Sequence, residues 1–375
     1  MRIGIDCRIL RQGQVTGIPN YVRNLTSELK KLETKHEFVF FDGPKGGVPF
    51  WSNHVSYAKQ IEKARLDLFH GPANTSPFFY KGKSIVTIHD LAIYKHPEWF
   101  PRGQWFATKF VVPRSIKRAD RIIVPSEVTK RDLMELFKVP EEKIAVIAEG
   151  VEERFFKTPS QSPPIAFGAG GEGKRYILFV GGTDPRKNLG RVKEAYKLLP
   201  GEIREKYELW IAGGGRGIRE IGEIREIRGL RVLGYVPDAD MPGLYQNAAV
   251  FVYPSLYEGF GLPVLEAMAA GVPVVTSKGS AMAEIAGRRP VIPAEAGIQG
   301  LDPRVSPPAG GSPEDDNSIA TLVDPHAPQG IADAITRIIR DNAYSSQKRA
   351  AGVLIAARYS WKRVATETVK VYKSI

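Results

Sequence analysis

Tyr253-Pro254-Ser255-Leu256-Tyr257-Glu258-Gly259-Phe260-Gly261-Leu262-Pro263-Val264-Leu265-Glu266-Ala267-Met268-Ala269-Ala270-Gly271-Val272-Pro273-Val274-Val275 opens as a strand, turns through glycines, becomes helical and ends in a second apolar run. A strand, a glycine turn, a helix and another strand make one unit of a parallel sheet. Such units bind ligands at the turn after the strand. Gly259 and Gly261 permit close backbone approach. The N–H groups and dipole of a helix opening at Leu262 can hold an anion such as a diphosphate.

Working outward, short β-branched runs recur between longer amphipathic segments. In the first half they are Arg2 to Asp6, Phe38 to Phe41, Ser84 to Ile88, Arg121 to Val124 and Ile144 to Ile147. The rhythm restarts with Tyr176 to Val180, Glu208 to Ala212, Val232 to Leu233, Val250 to Tyr253 and Val272 to Thr276. Strands alternating with helices predict an α/β fold whose parallel sheets are covered on both faces. The Pro, Gly and Ser-rich interval from Thr158 to Gly173 has too few apolar residues to offset the entropy of ordering it, and reads as a linker. This predicts two doubly wound domains, 1–160 and 174–359, with a helix at about 360–375 packing back on the first.

A second interval, about Arg288 to Ser318, contains Pro290, Pro293, Pro303, Pro307, Pro308, Pro313 and Gly310-Gly311. A structureless loop of this length is uncommon inside a compact domain, so it reads as an exposed insertion. Its removal would join Ala283-Glu284-Ile285-Ala286-Gly287 to Ile319-Ala320-Thr321-Leu322-Val323-Asp324-Pro325 in a smooth passage from helix to strand. The wording Val291-Ile292-Pro293-Ala294-Glu295-Ala296-Gly297-Ile298-Gln299 also resembles the translation of a dispersed bacterial palindromic repeat.

With 375 residues, 43% of them hydrophobic, the chain is long enough for two cores. Lys plus Arg outnumber Asp plus Glu by 53 to 41, and the net charge of +12 attracts anionic partners. The single cysteine, Cys7, lies in an apolar run, cannot form an intrachain disulfide, and reads as a buried thiol. No uninterrupted run of about 18 apolar residues and no leader pattern is found. A cytoplasmic protein, soluble or peripheral on a membrane, is expected.

Glu258 sits before the turn and Glu266 about one turn into the helix. Two carboxylates eight positions apart across such a turn can point into one pocket, one toward sugar hydroxyls and one toward a ribose, because each oxygen accepts strong hydrogen bonds. A charge set among Val264, Leu265, Ala267 and Met268 is costly unless partnered. In Asp184-Pro185-Arg186-Lys187-Asn188 two adjacent cations come after a strand and could neutralise a leaving diphosphate. His89 ends an apolar strand, where an imidazole could bond a hydroxyl or a phosphate. Gly13 to Ile18 is a loop after the first strand, equally readable as a plain turn.

Arg102 to Arg121 interleaves Trp105, Phe106, Phe110, Val111 and Val112 with Lys109, Arg114, Lys117 and Arg118. It reads either as a basic face for an anionic membrane or as a partly buried helix interrupted at Pro113. No nucleic-acid motif accompanies the basic charge. No His, Cys and carboxylate spacing marks a metal site, and no Asp-x-Asp motif marks a metal-diphosphate clamp.

The glutamate, seven residues, glutamate pattern with Gly-Phe-Gly-Leu-Pro inside resembles the retaining glycosyltransferases of family four, mannosyltransferase-like members included. Thr16-Gly17-Ile18, Thr87-Ile88-His89-Asp90, Val124-Pro125-Ser126, Gly181 to Asn188 and Ser360-Trp361 fall in the expected order. The resemblance implies a GT-B fold, with two Rossmann-like domains facing across a cleft. It implies His89, Arg186, Lys187 and Glu258 as catalytic residues. Gly17, Gly259, Phe260, Gly261, Leu262 and Glu266 would bind the nucleotide-sugar. Relatives commonly place an arginine after the glycine of the strand that precedes Lys187, whereas this chain has Gly182 and Thr183, so Arg186 is expected as a substitute. Where relatives often have Asn-Gly-Val, this chain has Glu149-Gly150-Val151, making Glu149 a candidate site residue.

The expected reaction is transfer of a sugar, best matched by GDP-mannose as donor, to a glycan or lipid-linked acceptor with retention of configuration and without a metal or other cofactor. The similarity of Ile88-His89-Asp90-Leu91 and His96-Pro97-Glu98-Trp99-Phe100-Pro101 to mannosyltransferase-like members carries the sugar assignment. A catalytically silent sugar-nucleotide or glycan-binding protein, or an epimerase of the same fold, are the rival readings.

Overall fold

The computed structural model describes residues 1–12, 17–43, 51–100, 107–156, 175–213, 227–286 and 318–375. The expected linker at 158–173, nearly all of the insertion at 288–318, loop residues 13–16 and residues 102–106 of the basic stretch lie outside these.

The first unit comprises Met1–Glu152, Tyr257–Leu262 and Tyr359–Ile375. Its strands are β1 (Arg2–Asp6), β2 (Glu37–Phe41), β3 (Leu68–Gly71), β4 (Ser84–Thr87), β5 (Arg121–Val124) and β6 (Ile144–Val146). They form a parallel sheet in the order β2-β1-β3-β4-β5-β6. The order reverses between β1 and β3, so the carboxyl ends of those strands mark the binding edge of this sheet.

Residues of the same strand feed opposite cores. Ile3, Ile5, Leu68, Ile85 and Ile123 pack against Tyr21, Val22, Leu25 and Leu29 of the helix Ile18–Lys31 and against Trp361, Val364 and Ala365 of the helix Trp361–Lys373. Val86, Ile122 and Val124 pack instead with Ile116 and Leu133. Burial on both faces is what makes these strands read as continuous apolar runs. Each such side chain contributes roughly 1.5–3 kcal/mol.

β3 is not among the runs expected from the sequence. Its four residues, Leu68-Phe69-His70-Gly71, carry a histidine in the middle of the run, which breaks the apolar signal. The imidazole is nevertheless fully buried, because Tyr372 Oη lies 2.7 Å from Nδ1 and Thr87 Oγ1 lies 2.8 Å from Nε2.

The second unit comprises Glu153–Leu256 and Pro263–Arg358. Its strands are β7 (Arg175–Val180), β8 (Tyr207–Ala212), β9 (Leu230–Gly234), β10 (Val250–Tyr253), β11 (Val274–Ser277) and β12 (Thr321–Val323), parallel in the order β12-β11-β10-β7-β8-β9. Here the order reverses between β7 and β10. Ile177, Phe179, Leu209, Ile211, Val250 and Val252 pack against Val192 and Tyr196 of the helix Leu189–Leu198 and against Ile331, Ile335 and Ile338 of the helix Pro328–Arg340.

The described ends on either side of residues 287–317 meet. The amide of Ile319 donates to the carbonyl of Ala286 at 2.7 Å, and the buried Lys348 ammonium donates to the Ser318 carbonyl. The end of the helix Ala281–Ala286 therefore lies beside the residues that lead into β12.

Candidate active site

In the first unit, candidate residues collect on loops after β3, β4 and β6. His89 lies two positions beyond β4 and is held by its backbone: its amide donates to Asn74 Oδ1 at 2.8 Å, and Thr129 Oγ1 donates to its carbonyl at 3.4 Å. The imidazole is buried, with Nε2 2.8 Å from the Pro72 carbonyl and Nδ1 3.2 Å from Glu149 Oε1. The Tyr21 ring stands edge-on at 4.6 Å. The next residue, Gly150, keeps Glu149 in place. A Cβ at Gly150 would come within 2.5 Å of the Trp361 nitrogen, so only glycine lets the returning chain form its bridge between Val151 and Ser360.

Gly17 adopts a φ of 65° at the start of the helix Ile18–Lys31, whose first turn has no side-chain cap. Among the described residues no atom lies within 4 Å of where its Cβ would be. The start of a helix is a setting that suits an anion.

The Glu258 turn departs from expectation. Sequence continuity assigns it to the second domain, but Tyr257–Leu262 clusters with the first unit. The reasons are local. Tyr257 Oη donates to the buried Asp132 carboxylate at 2.5 Å, and Ser126 Oγ donates to the Gly259 carbonyl at 2.6 Å. Ser126 also caps the helix Glu127–Phe137 by accepting from the Thr129 amide. Burial and, after it, the bond to Asp132 push the Tyr257 hydroxyl well above its ordinary pKa. Phe260 is buried and lies 6.1 Å from the Tyr359 ring, Glu258 is half-buried, and Gly261 has a φ of 112° at the start of the helix Leu262–Ala269.

In the second unit, Lys187 and Tyr253 meet beside the carboxyl ends of β7 and β10, where the strand order reverses. Lys187 Nζ lies 2.5 Å from Tyr253 Oη and 5.1 Å from the ring centroid. Gly181, at a φ of 154°, makes room: a Cβ there would stand 2.9 Å from Lys187 Cγ. Arg186 is engaged by its neighbour, its guanidinium bonding the Asp184 carboxylate at 2.7 Å through Nη2. Burial alone would raise the Asp184 pKa, but the bonds and charge of Arg186 outweigh it and the net shift is downward. The Arg186 carbonyl accepts from the Leu256 amide at 2.7 Å and from Ser255 Oγ at 2.8 Å, which ties this turn to the loop after β10.

Glu266 lies on the helix Leu262–Ala269, and its Oε2 accepts from Tyr245 Oη at 2.9 Å. Burial and, next, the Glu266 charge raise the Tyr245 pKa strongly, so the phenol stays protonated and donates. Tyr245, Tyr253 and Asp184 carried no sequence signal of a role, being aromatic or turn residues in unremarkable surroundings. Among the described residues no three His, Cys, Asp or Glu side chains form a group able to hold a metal.

Residues 166–289 match the family described as Glycosyl transferases group 1, and residues 15–155 match Glycosyltransferase Family 4. The O-antigen chain mannosyltransferase B of Escherichia coli is 31% identical over 82% of this chain and 74% of its own length. The chain belongs to glycosyltransferase family 4. The serotype-specific mannosyltransferase WbdA of the same organism is 25% identical over 78% of this glycosyltransferase, which spans 33% of WbdA's length.

The fold of this glycosyltransferase is GT-B. HepE from Anabaena, solved in complex with UDP and glucose, superposes with a TM-score of 0.71 over the full length of both chains at 15% identity. The two sheets of six parallel strands, each reversing order once, are the α/β architecture expected from the sequence. No helix of the described residues is long and apolar enough to cross a membrane.

Proposed function

We propose that this glycosyltransferase transfers mannose from GDP-mannose to a glycan or lipid-linked acceptor during cell-surface polysaccharide synthesis. The sugar and the pathway rest on similarity to the two mannosyltransferases above. The chemistry rests chiefly on one observation, the Lys187 ammonium held by Tyr253 at the reversal point of the second sheet. A cation fixed there neutralises charge building on a departing nucleoside diphosphate, a stabilisation worth most when its donors are already oriented. Glu266, steadied by Tyr245, takes the ribose hydroxyls. The acceptor binds the first unit, whose basic stretch at 102–121 meets an anionic membrane from the cytoplasmic side.

The reaction retains anomeric configuration and needs no metal or other cofactor in this reading. Arg186 contributes less than Lys187, since Asp184 balances its charge. That pairing is also the observation that favours the rival reading, a protein that binds sugar-nucleotides without turnover.

A thermal-shift screen of nucleoside diphosphates and their sugars, and then turnover with labelled donors, tests the proposal, because a ligand of the native state raises its stability. GDP and GDP-mannose should give the largest shifts, and the product linkage should be α by NMR. Activity should survive a chelator. Binding without transfer to any acceptor would establish the silent reading instead.

A further inference from the structure

Both ring nitrogens of His89 face groups that only accept. Nε2 is 2.8 Å from the Pro72 carbonyl, so it carries a hydrogen. Nδ1 is 3.2 Å from Glu149 Oε1, and an ionised carboxylate has no hydrogen to offer. A neutral imidazole has one N–H for these two contacts. Turning the ring by half a revolution would set carbon against both acceptors and satisfy neither. The pair therefore holds one proton more than a neutral imidazole beside a carboxylate. An imidazole holds a proton roughly two pH units more tightly than a carboxyl does, so the proton belongs on the ring.

We propose that Glu149 is a positioning residue that holds His89 as an imidazolium, with both N–H groups committed to protein acceptors. His89 then serves as a fixed donor pair bracing the loop after β4, and it does not act as a general base or turn its nitrogens to a substrate. This bearing on the reaction rests on the proposed function, whereas the protonation state does not.

The surroundings fix the arrangement from every side. Pro72 comes from the loop after β3, Glu149 from the loop after β6, and the Tyr21 ring from the helix Ile18–Lys31. Asn74 Oδ1 binds the His89 amide, and the neighbouring Asp90 carboxylate accepts from the Ala92 amide. His70 and Tyr21 are the other titrating side chains close by, and burial is the first cause that lowers the one and raises the other. An asparagine at position 149 would behave differently, because its amide can donate to an unprotonated Nδ1 and so leaves the ring neutral.

Long-range proton–nitrogen NMR spectra of the full chain, labelled at its six histidines, report the number of protons on each ring. Loss of one signal set in His89→Gln assigns the residue. In the unsubstituted protein at neutral pH both ring nitrogens of His89 should carry a hydrogen, as the two acceptors facing them require. In Glu149→Gln and Glu149→Asn it should become a single Nε2–H tautomer at the same pH. A singly protonated His89 in the unsubstituted protein would overturn the proposal, and that measurement stands even if both variants fail to fold. Identical His89 signals in folded variants would overturn it as well. The spectra need no substrate, so absence of glycosyl transfer would count against the proposed function and leave this result intact. In the active enzyme, kcat/KM should be flat across neutral pH and acquire a new inflection in Glu149→Gln.

Discussion

The α-carbon of Gly259 stands directly against the carbonyl group of His89. A Cβ there would lie 1.8 Å from that oxygen, far inside any real contact, and 2.9 Å from Asp90 Cβ. The glycine is required for space and not for conformation, since its φ is not among the positive ones. Gly259→Ala should therefore displace the whole Tyr257–Leu262 turn from Ser126 and Asp132. We expect turnover to fall at least about tenfold, with roughly 1–3 kcal/mol of stability lost to overpacking. Steady-state kinetics and thermal unfolding check both.

Removing the Lys187 charge should cost more in turnover than in binding. Lys187→Ala is expected to lower kcat by about 100-fold, as loss of one preoriented donor does. Tyr253→Phe keeps the ring and removes the hydroxyl that holds the ammonium, so a loss of about fivefold, roughly 1 kcal/mol, is expected. A kcat unchanged in both would show that the pair is structural.

Glu266→Ala should raise the KM for the donor and also strand the buried Tyr245 hydroxyl, at a cost of about 1–3 kcal/mol in stability. Glu266→Gln, which still accepts from Tyr245, should recover the stability but not the donor affinity. Calorimetric titration with nucleotide, set beside melting curves, separates the two effects.

Because Ile319 already bonds to Ala286, removing residues 288–316 leaves a connection of only Gly287-Asn317-Ser318 across a gap that is closed by a hydrogen bond. Loop shortening changes closure entropy by only about 0.6 kcal/mol per halving of length. The deletion protein should melt within a few degrees of the full chain and keep measurable transfer. A folded deletion protein with no activity would show that the segment takes part in the reaction.

Acid should destabilise the first unit through His70. Burial, with positive charge on His89 as a smaller cause, lowers its pKa to about 3. The unfolded chain titrates near 6.5, so between these values the unfolded state binds the extra proton. The stabilisation is complete above about pH 6.5 and is lost progressively as pH falls toward 3, reaching about 3 kcal/mol by pH 4. His70→Gln should flatten that slope in melting temperature measured against pH.

Much of this was legible along the chain. The alternating runs gave eleven of the twelve strands, counting the passage into β12, and the glycine pattern from Glu258 to Glu266 placed the family. His70 hid β3, because a histidine reads as polar until Tyr372 and Thr87 supply its two partners from other parts of the chain. The partners of the candidate residues were equally out of reach: Lys187 with Tyr253 and Glu266 with Tyr245 are pairs whose members lie far apart in sequence.

What the sequence determined by itself is the fold class, the family and the identity of the candidate side chains, because periodicity, glycine placement and motif order are local properties. Only the tertiary structure decided that Tyr257–Leu262 belongs with the first unit, that Asp184 occupies Arg186, and that Glu149 stands against the His89 ring. The physical reason is common to all three. Hydrogen-bond partnership and exclusion of a side chain depend on distances between chain segments, and the protonation of a buried pair depends on which acceptors surround it.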